Sequence, residues 1–90
     1  MKYITINCAN CETISALHEE VAQKIGFSMK RGSFVDSLWQ YLALLGQPEL
    51  SVEFLRMHLL CSEVRKEAER IYITLLRANL KLGDVQVSIA

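Results

Sequence analysis

Leu50-Ser51-Val52-Glu53-Phe54-Leu55 is the stretch on which the fold of this chain turns. Apolar Leu50, Val52 and Phe54 alternate with polar Ser51 and Glu53, the period-two pattern of a strand with one face in a core. Leu55 falls on the Glu53 side, which predicts partial cover on the second face too. Just upstream, Gly46 and Pro48 end a helical pattern, because proline cannot continue one. Two further stretches alternate in the same way. In Tyr3–Asn7, Ile4 and Ile6 oppose Tyr3 and Thr5; Asp84–Ile89 alternates to the end.

Between these strands the period changes to that of a helix. Leu17, Val21 and Ile25 recur at i, i+4, i+8, with Ser15 as the expected N-cap and Gly26 as the stop. After a loop from Phe27 to Gly32, a second helix is expected from Ser33. Its apolar positions are Phe34, Leu38, Tyr41, Leu42 and Leu45. Residues Arg56 to Ser62 read either as a short helix or as a turn plugged by Met57, Leu59 and Leu60. From Glu63 the helical pattern is strong, through Val64, Ala68, Ile71, Leu75, Ala78 and Leu82, with Arg65 and Glu69 on the solvated side. Gly83 ends it. Helix lies between each pair of strands, so the strands are expected to be parallel and the crossovers right-handed. The expectation is one α/β domain over residues 1–90: a three-stranded parallel sheet packed against three or four helices.

Composition narrows the function classes. The 90 residues are 51% hydrophobic and 22% charged, enough apolar material for a core and too much for a disordered tail. A chain of this size buries only about 60% of its unfolded surface. Ten Lys and Arg balance ten Asp and Glu, whereas a general nucleic-acid binder is normally strongly basic. Direct nucleic-acid binding is therefore not expected. No apolar run approaches the roughly 18 residues of a membrane span. Met1-Lys2-Tyr3-Ile4-Thr5-Ile6 is too short and too polar in alternation for a signal peptide. Three cysteines without framework spacing fit a reducing compartment, so the expected location is cytoplasmic.

Candidate chemistry is sparse. Cys8-Ala9-Asn10-Cys11 is a C-x-x-C between a strand and a helix, the setting of a thioredoxin-like redox motif. Such a motif needs its first thiol at a helix N-terminus, and the expected cap, Ser15, comes several residues later. A small thiol–disulfide enzyme using Cys8 and Cys11 is the weakest of the readings. A closed zinc site needs four ligands, and only Cys61, His18 and His58 remain to complete one, without paired spacing. His18 beside the Leu17–Val21–Ile25 stripe reads as a packing histidine with a local hydrogen bond. No phosphate loop or nucleophile triad is present. No cofactor, no metal and no catalytic residue are expected.

One run carries more information. Ile14-Ser15-Ala16-Leu17-His18 and Gly32-Ser33-Phe34-Val35-Asp36-Ser37-Leu38-Trp39 resemble segments of the barstar family, small intracellular inhibitors of the secreted ribonuclease barnase. The opening strand ending Ile-Thr-Ile-Asn, the chain length and the order of elements are similar too. The resemblance implies three parallel strands against helices, and inhibition by plugging. In that family the second helix and the loop before it enter the nuclease active site, where acidic side chains stand in for RNA phosphates. By position, Gly32, Val35, Asp36 and Trp39 keep the family's type or character.

The departures concern charge. Lys30 and Arg31 stand where the family has tyrosines, Gln40 where it has its second acid, and Arg77 and Lys81 where it has glutamates. Such reversals would repel a basic nuclease cleft, since charge complementarity governs encounter and partner choice. The target implied is a cognate toxic enzyme, a nuclease other than barnase, with an acidic or mixed contact surface. The alternative is an immunity module of the same fold against a toxin of another class. The free protein is expected to be a monomer. The expected partner-binding residues are Lys30, Arg31, Gly32, Val35, Asp36, Trp39, Gln40, Arg77 and Lys81. Each has a plainer reading: Trp39 as a core indole beside a solvated Asp36, and Arg77 and Lys81 as a solvated face near a helix C-terminus, where cations are stabilised.

Overall fold

A computed structural model describes residues 1–29 and 32–90. Its strands are β1 (Lys2–Asn7), β2 (Glu49–Leu55) and β3 (Asp84–Ile89), and its helices are α1 (Ile14–Ile25), α2 (Phe34–Leu44) and α3 (Ser62–Lys81). The sheet is parallel in the order β1-β2-β3. Ile4 pairs with Val52 and Val52 with Val87, so the inward residues of all three strands stand in register. The fold class is therefore the α/β arrangement that the alternating and helical periods predict.

Two crossovers of the same hand that always step in the same direction must lie on the same face of the sheet. The burial pattern agrees. Ile4, Ile6, Leu50, Val52, Phe54 and Val85 are buried against the helices, while Tyr3, Thr5, Glu53, Gln86 and Ser88 are exposed. Among the described residues no helix covers the outer face, and Leu55 lies there half-buried. The strand order never reverses, so this sheet has no switch-point crevice of the kind that holds ligands in doubly wound folds. The surface hollows belong to the helical layer instead.

That layer is organised by α3, which packs against α1, α2 and β3. It buries Val64, Ala68, Ile71, Leu75 and Ala78; α1 adds Leu17, Val21 and Ile25, and α2 adds Phe34, Leu38 and Leu42. Full burial of each large aliphatic side chain contributes about 1.5–3 kcal/mol. At the C-terminal edge of the strands, two single-turn 3-10 helices (Cys8–Asn10 and Met57–Leu59) close the end of the core with Cys8, Met57 and Leu60.

Local details differ from the sequence expectation at four places. The cap of α1 is Thr13, whose Oγ1 accepts from the Ala16 amide at 3.0 Å, and not Ser15. Threonine two residues earlier serves because Ile14 can then enter the apolar stripe. Ser33 stands just outside α2 at the N-cap position, without a side-chain capping bond, and Leu45 is the C-cap. The Arg56–Ser62 stretch is a 3-10 turn in which Met57 and Leu60 are buried while Leu59 is 60% exposed. A turn this tight cannot aim Met57, Leu59 and Leu60 all inward. Arg65 turns back to donate to the carbonyls of His58 and Leu60 at 3.1 and 3.2 Å and pins that turn to α3.

Candidate functional site

The first turn of α2 is where the Gly32–Trp39 run meets the neighbouring helix. Gly32, before the cap, has φ +107°, a left-handed conformation that glycine alone adopts without strain. Phe34 is buried and anchors the helix start, and Ser37 folds its hydroxyl onto the Ser33 carbonyl at 3.3 Å. This leaves Asp36 exposed in the first turn, where a carboxylate is stabilised by the helix dipole. Asp36 makes no ion pair with another described residue.

Val35 and Trp39, four residues apart, share the flank of α2 that faces α3. Together with Asp36, Thr74 and Arg77 they line one small hollow of about 180 Å³. Both are half-buried. The Arg77 guanidinium lies over the indole, 5.7 Å from the ring centroid, within cation–π range. Packing thus brings an acid, an indole and a cation from two helices to one place.

The other expected contact residues are distributed differently. Gln40 is on the opposite flank of α2, beside a second hollow of about 250 Å³ that Phe27 and Tyr41 also line. Gly32 and Lys81 are exposed and line neither hollow. Lys30 and Arg31 lie outside the described residues. Thr74 was not anticipated. Its only sequence signal is its position three residues before Arg77 on the same helix face.

A second unanticipated feature flanks the hollow. Beyond its buried stripe, α3 exposes Ile73 (53%), Leu76 (41%) and Leu80 (81%), at i, i+3, i+7. A helix with apolar side chains on its solvent side as well as its core side is unusual in a free monomer. Arg77 and Lys81 stand among these residues.

The cysteines have a different environment. Cys8 and Cys11 are free and buried, held in a 3-10 turn and not at the start of an α-helix. Burial, then the neighbouring Cys11, then Glu20 push the Cys8 thiol up to about 11. Burial, then Glu20, raise Cys11 as well. A redox nucleophile needs the opposite shift. Glu20 is held close because its Oε2 accepts the Asn7 amide at 3.1 Å. Among the described residues no three His, Cys, Asp or Glu side chains gather as a metal site. No described helix is long and apolar enough to cross a membrane.

His18 packs as expected, its ring stacked on Phe34 at 4.1 Å. Its hydrogen bond is not local, however. Nε2 meets Oε2 of Glu67 on α3 at 2.5 Å, and Arg70 holds the other carboxylate oxygen at 3.0 Å.

Among protein-family models none matches this chain, and no curated protein matches it.

Proposed function

We propose that this chain is a barstar-like binding protein that neutralises a cognate toxic enzyme, a nuclease, by seating the α2–α3 face in its working cleft. The single observation that carries the reading is the hollow rimmed by Val35, Asp36, Trp39 and Arg77. Asp36 offers a carboxylate to a catalytic cation. Trp39 offers the large, rigid apolar surface typical of an interface anchor. The exposed Ile73, Leu76 and Leu80 extend the contact area beside them. No bond is made or broken; inhibition is steric, with charge matching to select the partner.

Gln40, Arg77 and Lys81 favour a target with a mixed or acidic rim over a uniformly basic cleft. The same substitutions support a second reading, an immunity module of this fold against a toxin that is not a nuclease.

Pull-down and RNase protection with the toxin encoded beside this gene test both readings. A nuclease that is bound and silenced by the wild type, and released by the Asp36→Ala/Trp39→Ala double variant, is the expected result. Binding without any nuclease activity to silence selects the second reading. A toxin held equally well by wild type and double variant would remove this face from consideration.

A further inference from the structure

A groove of about 710 Å³ runs along the outer side of α1, lined by Ser15, His18, Glu19, Ala22, Phe27 and Met29 among others. Its size is that of a small-molecule or side-chain pocket. It shares no lining residue with the Trp39 hollow.

The chemistry of the groove is set by His18. A carboxylate can only accept, so the proton on Nε2 points to Glu67. In the neutral ring this leaves Nδ1 as an acceptor. Nδ1 has no partner among the described residues and is not sealed in the interior. The ring cannot swing to hide it: Phe34 stacks on one face, and Glu67, itself held by Arg70, fixes the edge. This is the outer-sphere anchoring that preorganises a binding histidine. Ser15 and Glu19 stand three residues before and one after His18, on the same side of α1. They add a hydroxyl and a carboxylate. Gln23 adds an amide, and the rest of the wall, Ile14, Ala22, Phe27 and Met29, is apolar.

We infer that this groove binds a cationic group carried on an apolar stem, a guanidinium or alkylammonium whose N–H groups meet His18 Nδ1 and Glu19 while its stem lies on Ala22, Phe27 and Met29. An anion is disfavoured by the Glu19 carboxylate in the groove wall. A purely apolar ligand leaves a desolvated acceptor unpaired. No cation lines the groove among the described residues. The source of the group is either a free amine or an arginine or lysine side chain of another protein.

Amide correlation spectra of the full chain, titrated with n-butylguanidinium, test the assignment. The uncharged n-pentanol, pentanoate and a capped Gly-Arg-Gly peptide serve as parallel probes. The expected result is millimolar binding of butylguanidinium that shifts residues 15–27, and weakening by about tenfold in Glu19→Gln. Glu19 is exposed, so that variant folds. The peptide binding as well as the free guanidinium assigns the source to a protein side chain; the free guanidinium alone assigns it to a small amine. Pentanol binding as tightly as butylguanidinium, or an unchanged affinity in Glu19→Gln, overturns the inference. The Asp36→Ala/Trp39→Ala variant retains this binding, so the site stands or falls independently of the α2–α3 face.

Discussion

The guanidinium of Arg77 lies over the indole of Trp39, 5.7 Å from its centroid, and joins α3 to α2 at the surface. Exposed contacts of this kind contribute about 0.5–1 kcal/mol, so the pair adds little to stability. Its larger effect is to hold the indole in one orientation beside Asp36.

Arg77→Ala is therefore expected to lower stability by less than about 1 kcal/mol and to shift the emission of Trp39 to the red as water replaces the guanidinium. Trp39 is the chain's single tryptophan, so fluorescence reports on this site alone. Emission identical to wild type would mean that the stack does not persist in solution.

Glu67 is 8% exposed and takes bonds from His18 and Arg70. Glu67→Ala strands the buried His18 nitrogen and is expected to cost about 2–3 kcal/mol. A double-mutant cycle of Glu67→Ala with His18→Ala, read by urea denaturation, is expected to give a coupling of about 1–3 kcal/mol. Simple additivity would show the two residues to be independent.

A β-carbon at position 83 would stand 2.6 Å from the Pro48 carbonyl oxygen. That same oxygen accepts the Asp84 amide at 3.0 Å and sets the start of β3 against β2. Gly83→Ala is thus expected to cost about 2–3 kcal/mol, because backbone has to move. Gly32→Ala meets open space and pays only for its left-handed backbone, about 1–2 kcal/mol. Thermal melts that rank the two variants in the reverse order would contradict this.

The raised Cys8 thiol makes stability depend on pH at the alkaline end. The folded state holds its proton up to about 11, against 9.0 for an unperturbed thiol. The unfolded chain binds fewer protons between these values, so the Cys8 contribution is complete below pH 9 and is lost as pH rises toward 11. The slope is at most about 1.4 kcal/mol per pH unit for one thiol. Wild type is expected to lose stability faster than Cys8→Ala over this window in paired denaturant titrations. In native protein at neutral pH, iodoacetamide is expected to label exposed Cys61 first and Cys8 and Cys11 only on unfolding.

Arg56 has φ 60° and ψ 33° where β2 passes into the 3-10 turn. A left-handed conformation costs a non-glycine residue about 1–2 kcal/mol, so Arg56→Gly is expected to raise the melting temperature. A lowered one would show that the arginine side chain compensates for its backbone.

What the amino-acid order determined by itself is the set of elements and their inward faces. Ile4, Val52 and Val85 alternate with polar neighbours, and Leu17, Val21 and Ile25 repeat at helical spacing, because a side chain's direction follows from its own backbone period. Helix between every two strands then favoured parallel pairing. Only tertiary packing decided which surfaces became sites. Trp39 and Arg77 meet because α2 and α3 lie side by side, and the flank that carries Trp39 turns Gln40 away. His18 found Glu67 across 49 positions of chain, a contact that no local spacing encodes. Periodicity is a property of neighbouring residues, whereas a site depends on distances between elements, which are fixed only when the core is filled.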